Sequence, residues 1–443
     1  MLAGYPLEIA ITTANSAAQA WYGYDQGVIS GILISPNFIK TFPQTKDSNI
    51  QGITASCFSL GNLLGCLLTA LFGEKLGRKN TLRVGALLST IGAILQFSAY
   101  SFPQLIFGRV LNGVGNESPR WLLNHDRVED AQEALRRLLG SDLSSDDPIV
   151  QNELKSILGA IEIERRSHIS FKEVILRRDR SGHFKRLLLG CGGQFIQQWG
   201  GINALNYYFP IILTKSLGLS TLLARILTGA NATSYMISSA LAFWLIERTG
   251  RRSLMMTGLG LQGFAYVMVA LSVGLLITNP HGWGSTAITF LFFYYAAFGC
   301  TWGMVPWVYQ AEINSLAMRT RGAAAATATN WLFGFVCTQF TPTAIKNIGY
   351  RFYIIFAALN LLFLPVVYFL YPETMQRTLE DLDWYFDIDS PHKTFIPFGD
   401  KVAKQRTRPT EFIEAEAERI AVGKDTAESK GFTTHVESVS SEL

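Results

Sequence analysis

Six stretches of this chain contain no Asp, Glu, Lys or Arg: residues 48–73, 187–214, 226–246, 253–311, 322–345 and 352–372. A helix that crosses a bilayer needs roughly 20 apolar residues, so most of these stretches hold one span. The longest, 253–311, holds two, with a turn at Asn279-Pro280-His281-Gly282. Two more apolar fields carry a single charge each, Asp25 within 9–39 and Arg109 within 84–116. One such run fits the core of a soluble protein; this many at this spacing do not. The chain reads as an all-α membrane protein.

The expected spans are 9–33, 52–72, 82–100, 105–115, 187–213, 222–246, 254–277, 285–309, 322–343 and 352–371. The fourth is a stub, whose roughly 11 residues reach about 17 Å against a hydrocarbon core of about 30 Å. No cleavable leader is evident, because Met1 to Pro6 lacks a basic region and the segment after it is long enough to span.

A basic turn occurs twice. Gly73-Glu74-Lys75-Leu76-Gly77-Arg78-Lys79 joins two early apolar runs, and Glu247-Arg248-Thr249-Gly250-Arg251-Arg252 joins two later ones. An acidic signature follows each, Glu117-Ser118-Pro119-Arg120 and then Pro372-Glu373-Thr374. Glu74 to Glu117 is 43 positions and Glu247 to Glu373 is 126, so the first copy is 83 residues shorter. Duplicated halves point to a membrane transporter, and the shortfall points to an incomplete first half. The expected domains are an incomplete N-terminal membrane half (1–115), a cytoplasmic helical linker (116–186), a six-helix C-terminal membrane half (187–371) and a cytoplasmic tail (372–443). Basic segments at 75–83, 248–252 and 319–321 assign those ends, and both termini, to the cytoplasm. Within the linker, 128–139 is an amphipathic helix candidate, and the end of the tail, near 415–443, reads as disordered.

The net charge of +4 comes mostly from loops and tail and carries no nucleic-acid signature. Cys57, Cys66, Cys191, Cys300 and Cys337 fall in apolar runs without CxxC spacing and read as packing residues. No histidine falls in an expected span, which disfavours a metal site or a histidine relay, and no cofactor is expected. No span carries a nucleophile–base pair, so an enzyme is disfavoured.

A carboxylate amid apolar residues is costly and faces a cavity or a partner. Desolvation favours its neutral form and a nearby guanidinium its ionised form, so Asp25 and Arg109 together can titrate or can form a static ion pair. Gln197, Gln198, Asn203 and Tyr207 share one span. Amides supply donors and an acceptor to vicinal hydroxyls, and Asn203 and Tyr207, four apart, share a face. In an unbroken helix Gln198 and Asn203 lie about 140° apart. Gly200-Gly201 offers a break that brings both to one cavity. Hydrogen bonding between neighbouring helices is the alternative use for such amides. Asn231 and Asn330 are lone amides in later spans; the sequon Asn231-Ala232-Thr233 is a poor glycosylation site inside a span.

The ordered motifs are Gly23-Tyr24-Asp25-Gln26-Gly27, Gly108-Arg109, Glu117-Ser118-Pro119-Arg120-Trp121, Gln197-Gln198 with Gly201-Ile202-Asn203 and Tyr207-Tyr208, Trp307-Val308-Tyr309 with Glu312-Ile313, Asn330-Trp331, and Pro372-Glu373-Thr374. In that order they resemble the sugar porter family of the major facilitator superfamily, and within it fungal hexose and polyol carriers. The resemblance implies two six-helix halves that rock about a midplane site. It implies substrate contacts from Gln197, Gln198, Asn203, Tyr207, Asn231, Trp302 and Asn330, and a proton-coupling pair of Asp25 and Arg109. It also implies a cytoplasmic gating set of Glu74, Arg78, Glu247, Arg251, Glu312 and Arg321, in which Glu74 replaces the family's usual aspartate. Beyond Gly115 the family completes a fourth span and adds a fifth and sixth, the fifth contributing glutamines to the sugar.

The expected function is proton-coupled uptake of a hexose or related sugar or polyol by a monomer in the plasma membrane, with sugar, protons and the lipid bilayer as partners. The alternatives are a truncated product that does not transport, a sequence lacking a segment of its natural protein, and a sugar-sensing receptor of the same fold.

Overall fold

The computed structural model describes residues 5–76, 78–116, 174, 182–315, 318–387, 395–398 and 400–410. The amphipathic candidate 128–139, nearly all of the linker, and the tail beyond 410 lie outside them. Among the described residues the first half comprises α1 (Tyr5–Ile32), a short α2 (Pro36–Thr41), α3 (Ser48–Leu76), α4 (Arg78–Phe97) and α5 (Phe102–Asn116). The second half comprises α6 (His183–Trp199), α7 (Ile202–Ile211) with a π-helical turn after it, α8 (Thr221–Thr249), α9 (Arg251–Gly274), α10 (Pro280–Cys300), α11 (Val305–Ile313), α12 (Arg319–Ile348) and α13 (Arg351–Leu370). In the tail, α14 spans Leu379–Phe386.

Among the described residues, four segments are long and apolar enough to cross a membrane by length and composition alone: Ser48–Thr69, Arg251–Gly274, Pro280–Ile313 and Arg351–Leu370. Helices α8 and α12 are as long, but polar residues such as Thr228, Asn231 and Ser238, or Thr327, Asn330 and Thr341, dilute their hydropathy. Polar residues inside a bundle face other helices instead of lipid, and Asn231, Ser238, Asn330 and Thr341 are buried here.

The stub begins earlier than its hydropathy indicates. Helix α5 starts at Phe102, because Pro103 is tolerated in a first turn, and its 15 residues reach about 22 Å. Glycines let its neighbours approach closely: a Cβ on Gly65 of α3 would lie 2.6 Å from the Val114 carbonyl, and one on Gly92 of α4 would lie 2.5 Å from the Asn112 nitrogen.

Two expected single spans are each a pair of helices. The span 187–213 breaks at Gly200-Gly201, in line with its glycine pair. The span 285–309 lies within the membrane-length segment Pro280–Ile313, whose helix breaks over residues 301–304, with Thr301 at φ −128° and ψ −86°. Pro306, at the start of α11, cannot donate to the preceding turn, which is why the helix stops and restarts there.

The halves meet where α3 packs along α12 and α1 packs on α7. The Ser56 hydroxyl donates to Gln339 Oε1 at 2.8 Å, and the Thr343 hydroxyl to Asn49 Oδ1 at 2.7 Å.

Candidate functional site

The break between α6 and α7 is built from glycine outward. Gly201 has φ +96°, and a Cβ there would overlap the Tyr266 hydroxyl, so glycine alone fits without displacement. The two glycine carbonyls find partners on three other helices, the Gly201 oxygen in addition to its intrahelical bond from the Leu205 N–H. The Gly200 oxygen accepts from the Tyr294 hydroxyl at 2.9 Å and from Asn360 Nδ2 at 3.3 Å, and the Gly201 oxygen accepts from the Tyr266 hydroxyl at 3.1 Å. The resulting bend lets Asn203 Nδ2 donate to Gln198 Oε1 at 2.6 Å. Gly334 of α12 leaves room for this pair, since a Cβ there would sit 2.9 Å from Asn203 Nδ2.

A second set of amides meets beside it. Asn330 Nδ2 donates to Gln194 Oε1 at 2.6 Å and to Gln197 Oε1 at 2.8 Å. Gln197 Nε2 donates to the Trp302 carbonyl at 2.6 Å, a carbonyl that lies in the α10/α11 break. Gln194 Nε2 donates to Gln310 Oε1 on α11 at 3.0 Å. Gln194, Gln197, Gln198 and Asn330 are all buried. These groups are neutral and combine donors with acceptors, which suits an uncharged polyhydroxylated molecule. Buried amides are costly unless bonded, so hydroxyls entering here must replace the bonds they displace.

The remaining expected substrate residues are spread around this core. Asn231 is buried on α8 and its Oδ1 has no hydrogen-bond partner among the described residues. Tyr207 is buried on α7. Trp302 is 1% exposed, its Nε1 donating to the Met255 carbonyl at 2.9 Å, and its ring packs beside Gly258 of α9. In this conformation that ring is enclosed, as Gln194, Gln197 and Asn330 are. Gln194 and Gln310 escaped the sequence reading; Gln194 precedes Gln197 by one turn, which was the available signal.

In the first half, Arg109 is buried on α5, with Nη1 donating to Gln96 Oε1 at 3.3 Å and the guanidinium 5.7 Å from the Phe58 ring centre. Asp25 falls on the backbone of α1, but its side chain, like those of Glu74 and Arg78, lies outside the described set. The Asp25–Arg109 pairing therefore stands as an expectation.

At the other end of the second half, Arg251 grips Glu312 with both ends of its guanidinium, Nε at 3.2 and 3.1 Å from the two carboxylate oxygens and Nη2 at 2.7 Å from one of them. The Thr374 hydroxyl donates to the same carboxylate at 2.6 Å. Glu373 is buried and accepts from the backbone N–H groups of Arg251 (2.8 Å), Arg252 (3.2 Å), Thr374 (3.0 Å) and Met375 (3.1 Å). Its charge sits at the start of α9, where the helix dipole favours an anion. Gly250, at φ +81°, permits this because a Cβ there would overlap the carboxylate. Of the six expected gating residues, Arg251 and Glu312 are brought together. Glu247 is exposed at the end of α8, and Arg321 is half-buried in the first turn of α12. Glu373 entered the sequence reading as a motif letter, and its bonds to α9 were not legible there.

The first part of the tail is pinned to the bundle. Thr378 and Asp381 form a capping box on α14, and Arg408 holds Asp381 through two bonds of 2.8 and 2.7 Å. Burial works against ionising Asp381, but the Arg408 guanidinium and the Thr378 cap hold its carboxyl below the usual carboxylate range. Buried Arg186 of α6 pairs with Asp383 and lies 4.9 Å from the Phe386 ring centre. Among the described residues no cluster of three His, Cys, Asp or Glu side chains could hold a metal ion.

Residues 10–116 and 114–386 match the family described as "Sugar (and other) transporter". The MFS-type transporter oryC of Aspergillus oryzae is 33% identical over 501 aligned positions, covering 95% of this chain and 92% of that protein. The sugar transporter STL1 of Saccharomyces cerevisiae is 29% identical over 475 positions, covering 87% and 82%. Among solved structures, the proton:xylose symporter XylE bound to 6-bromo-6-deoxy-D-glucose shares the fold, with a TM-score of 0.68 at 19% identity over 86% of this chain and 99% of that one.

Proposed function

This chain belongs to the sugar (and other) transporter family of multi-pass membrane proteins, and from that premise we propose that it represents a proton-coupled carrier for a hexose or related sugar or polyol. The observation that carries the reading is two hydrogen-bonded sets of amides at the helix breaks, Gln198 with Asn203, and Asn330 with Gln194 and Gln197. A broken helix inside a membrane exposes backbone and amides where they line a site between the halves. Sugar hydroxyls take over the amide bonds, and Asn231 Oδ1 supplies one acceptor that has no hydrogen bond among the described residues. Asp25 is the proton-binding group, modulated by Arg109. Arg251 and Glu312, with Glu74, Arg78, Glu247 and Arg321 at the same cytoplasmic end, latch one conformation. The protein acts as a monomer in the plasma membrane with both termini in the cytoplasm.

A second reading is that this chain lacks part of its first half and does not transport by itself. It draws support from an alignment to oryC of 501 positions, longer than the 443-residue chain. The two family matches also abut at 114–116. Along α1, Gly23, Gly27 and Gly31 recur every fourth residue with nothing within 4 Å of a Cβ on any of them among the described residues, a seam of the kind that seats another helix. Alternating access needs two complete halves.

Both readings are tested in cells lacking their own sugar carriers, expressing this chain or a version with the roughly 83 residues restored at the Gly115–Asn116 junction from a relative. Uptake driven by an inward proton gradient in the restored protein alone supports both. Uptake by neither removes the carrier assignment, and uptake by the present chain removes the second reading.

A further inference from the structure

Helix α11 is a rod of nine residues, detached from α10 by the break at 301–304. Its length is about 13 Å at 1.5 Å per residue. Side chains from different sides hold it, and its own Tyr309 hydroxyl donates to the Pro372 carbonyl at 3.1 Å. Near its start Gln197 holds the Trp302 carbonyl; near its end Gln194 holds Gln310 from α6, while Arg251 of α9 and Thr374 hold Glu312. Gln310 and Glu312 are two positions apart, so they point about 200° around the helix from each other. One face of the rod is thus bonded to the amide cluster and the opposite face to the cytoplasmic ion pair.

Position 310 is buried, and an apolar residue there avoids the cost of burying an amide. The bond to Gln194 offsets that cost. Gln194 is in turn held by Asn330, which also holds Gln197. The chain Gln197–Asn330–Gln194–Gln310 therefore links one end of α11 back to the other through α6 and α12.

We propose that Gln310 is a positioning residue, the joint through which the amide cluster sets the placement of α11 and so the strength of the Arg251–Glu312 pair. The proposal rests on the reading of the cluster as a sugar site. A hydroxyl that takes Asn330 or Gln197 withdraws support from Gln194, loosens Gln310, and lets α11 shift on its hinge. Occupancy at the centre then reaches the cytoplasmic latch without any contact between them.

The test uses the full chain in lipid nanodiscs, with D-glucose and D-xylose as probes. Thermal unfolding of Gln310→Leu, Arg251→Gln and the double variant measures the link without any sugar. The double variant is expected to lose less melting temperature than the two single losses together; strictly additive losses overturn the proposal. Hydrogen exchange over 301–315 measures the response to sugar. A sugar-dependent change in the wild type that disappears in Gln310→Leu, while a tryptophan-fluorescence titration still registers the sugar, supports the joint; an unchanged response overturns it. Should Gln310→Leu fail to fold, Gln310→Met cuts the same bond with a more adaptable side chain and leaves Gln194 in place. Gln310→Glu keeps the acceptor for Gln194 Nε2 and is expected to restore the response, which a role in packing alone does not predict. If the wild type registers neither sugar, the sugar reading fails and the unfolding cycle alone decides the joint.

Discussion

Gln198 and Asn203 lie five positions apart on opposite sides of a broken helix and are joined by a hydrogen bond of 2.6 Å. A continuous helix holds such residues about 140° apart. The break that unites them is sustained elsewhere, by Tyr266 on α9, Tyr294 on α10 and Asn360 on α13. Part of the site's geometry thus depends on helices that do not contribute to the amide pair.

Gly201→Ala is expected to destabilise the protein by about 1–3 kcal/mol, from backbone strain at positive φ and from displacement of the Tyr266 hydroxyl. In a Tyr266→Phe background the hydroxyl is gone, and Gly201→Ala meets chiefly the backbone cost. Thermal unfolding of the substitution in the two backgrounds separates the contributions, and equal losses would show that the Tyr266 hydroxyl adds nothing.

Gly334→Ala is expected to weaken sugar binding while leaving stability unchanged or slightly raised. The added methyl meets the end of a flexible side chain, Asn203, at 2.9 Å, and alanine favours a helix over glycine by about 1 kcal/mol. Tryptophan-fluorescence titration alongside thermal unfolding makes the comparison. An intact affinity counts against the Gln198–Asn203 pair as a substrate contact.

Glu373→Ala leaves four backbone N–H groups at the start of α9 and in the following turn without their acceptor. The expected loss is on the order of 3 kcal/mol, with faster hydrogen exchange at Arg251 and Arg252 than anywhere else in α9. Uniformly faster exchange along α9 would point to general loosening and away from a lost cap.

Asp381 is held below the usual carboxylate range in the folded protein, so its pair with Arg408 contributes fully above the unfolded value of about 3.9. That contribution is lost as pH falls through the lower folded value. Protease sensitivity of segment 395–410 is expected to stay flat from neutral pH to about 5 and to rise only in stronger acid. Arg408→Gln is expected to raise it at neutral pH. A transition near pH 6 would instead implicate a histidine.

Asp25→Asn, in the protein with a restored first half, is expected to abolish accumulation against a gradient while leaving sugar exchange at equal concentrations. The single carboxylate within the apolar field 9–39 motivates this hypothesis. Retained concentrative uptake would falsify the coupling role.

Helix content and the doubled plan were legible in the chain because both depend on local composition, in apolar runs of bilayer length and repeated basic turns. The α6/α7 break was legible for the same reason, since Gly200-Gly201 is a local signal. The α10/α11 break was not, because a single Pro306 inside an apolar run often bends a helix without stopping it. Trp302 and Pro306 stood in view, but the released carbonyl at Trp302 matters only because Gln197 reaches it.

The sequence by itself determined that this chain builds long apolar helices, that a basic turn recurs between them, and that neutral amides collect in the later ones. Tertiary structure alone decided their partners. Gln194 meets Gln310 across 116 positions, Asn330 meets Gln197 across 133, and the Arg251 backbone meets Glu373 across 122. Periodicity assigns a side chain to a face of its own helix, but its partner depends on how separate helices cross, bend and break, and that is set by packing over the whole bundle.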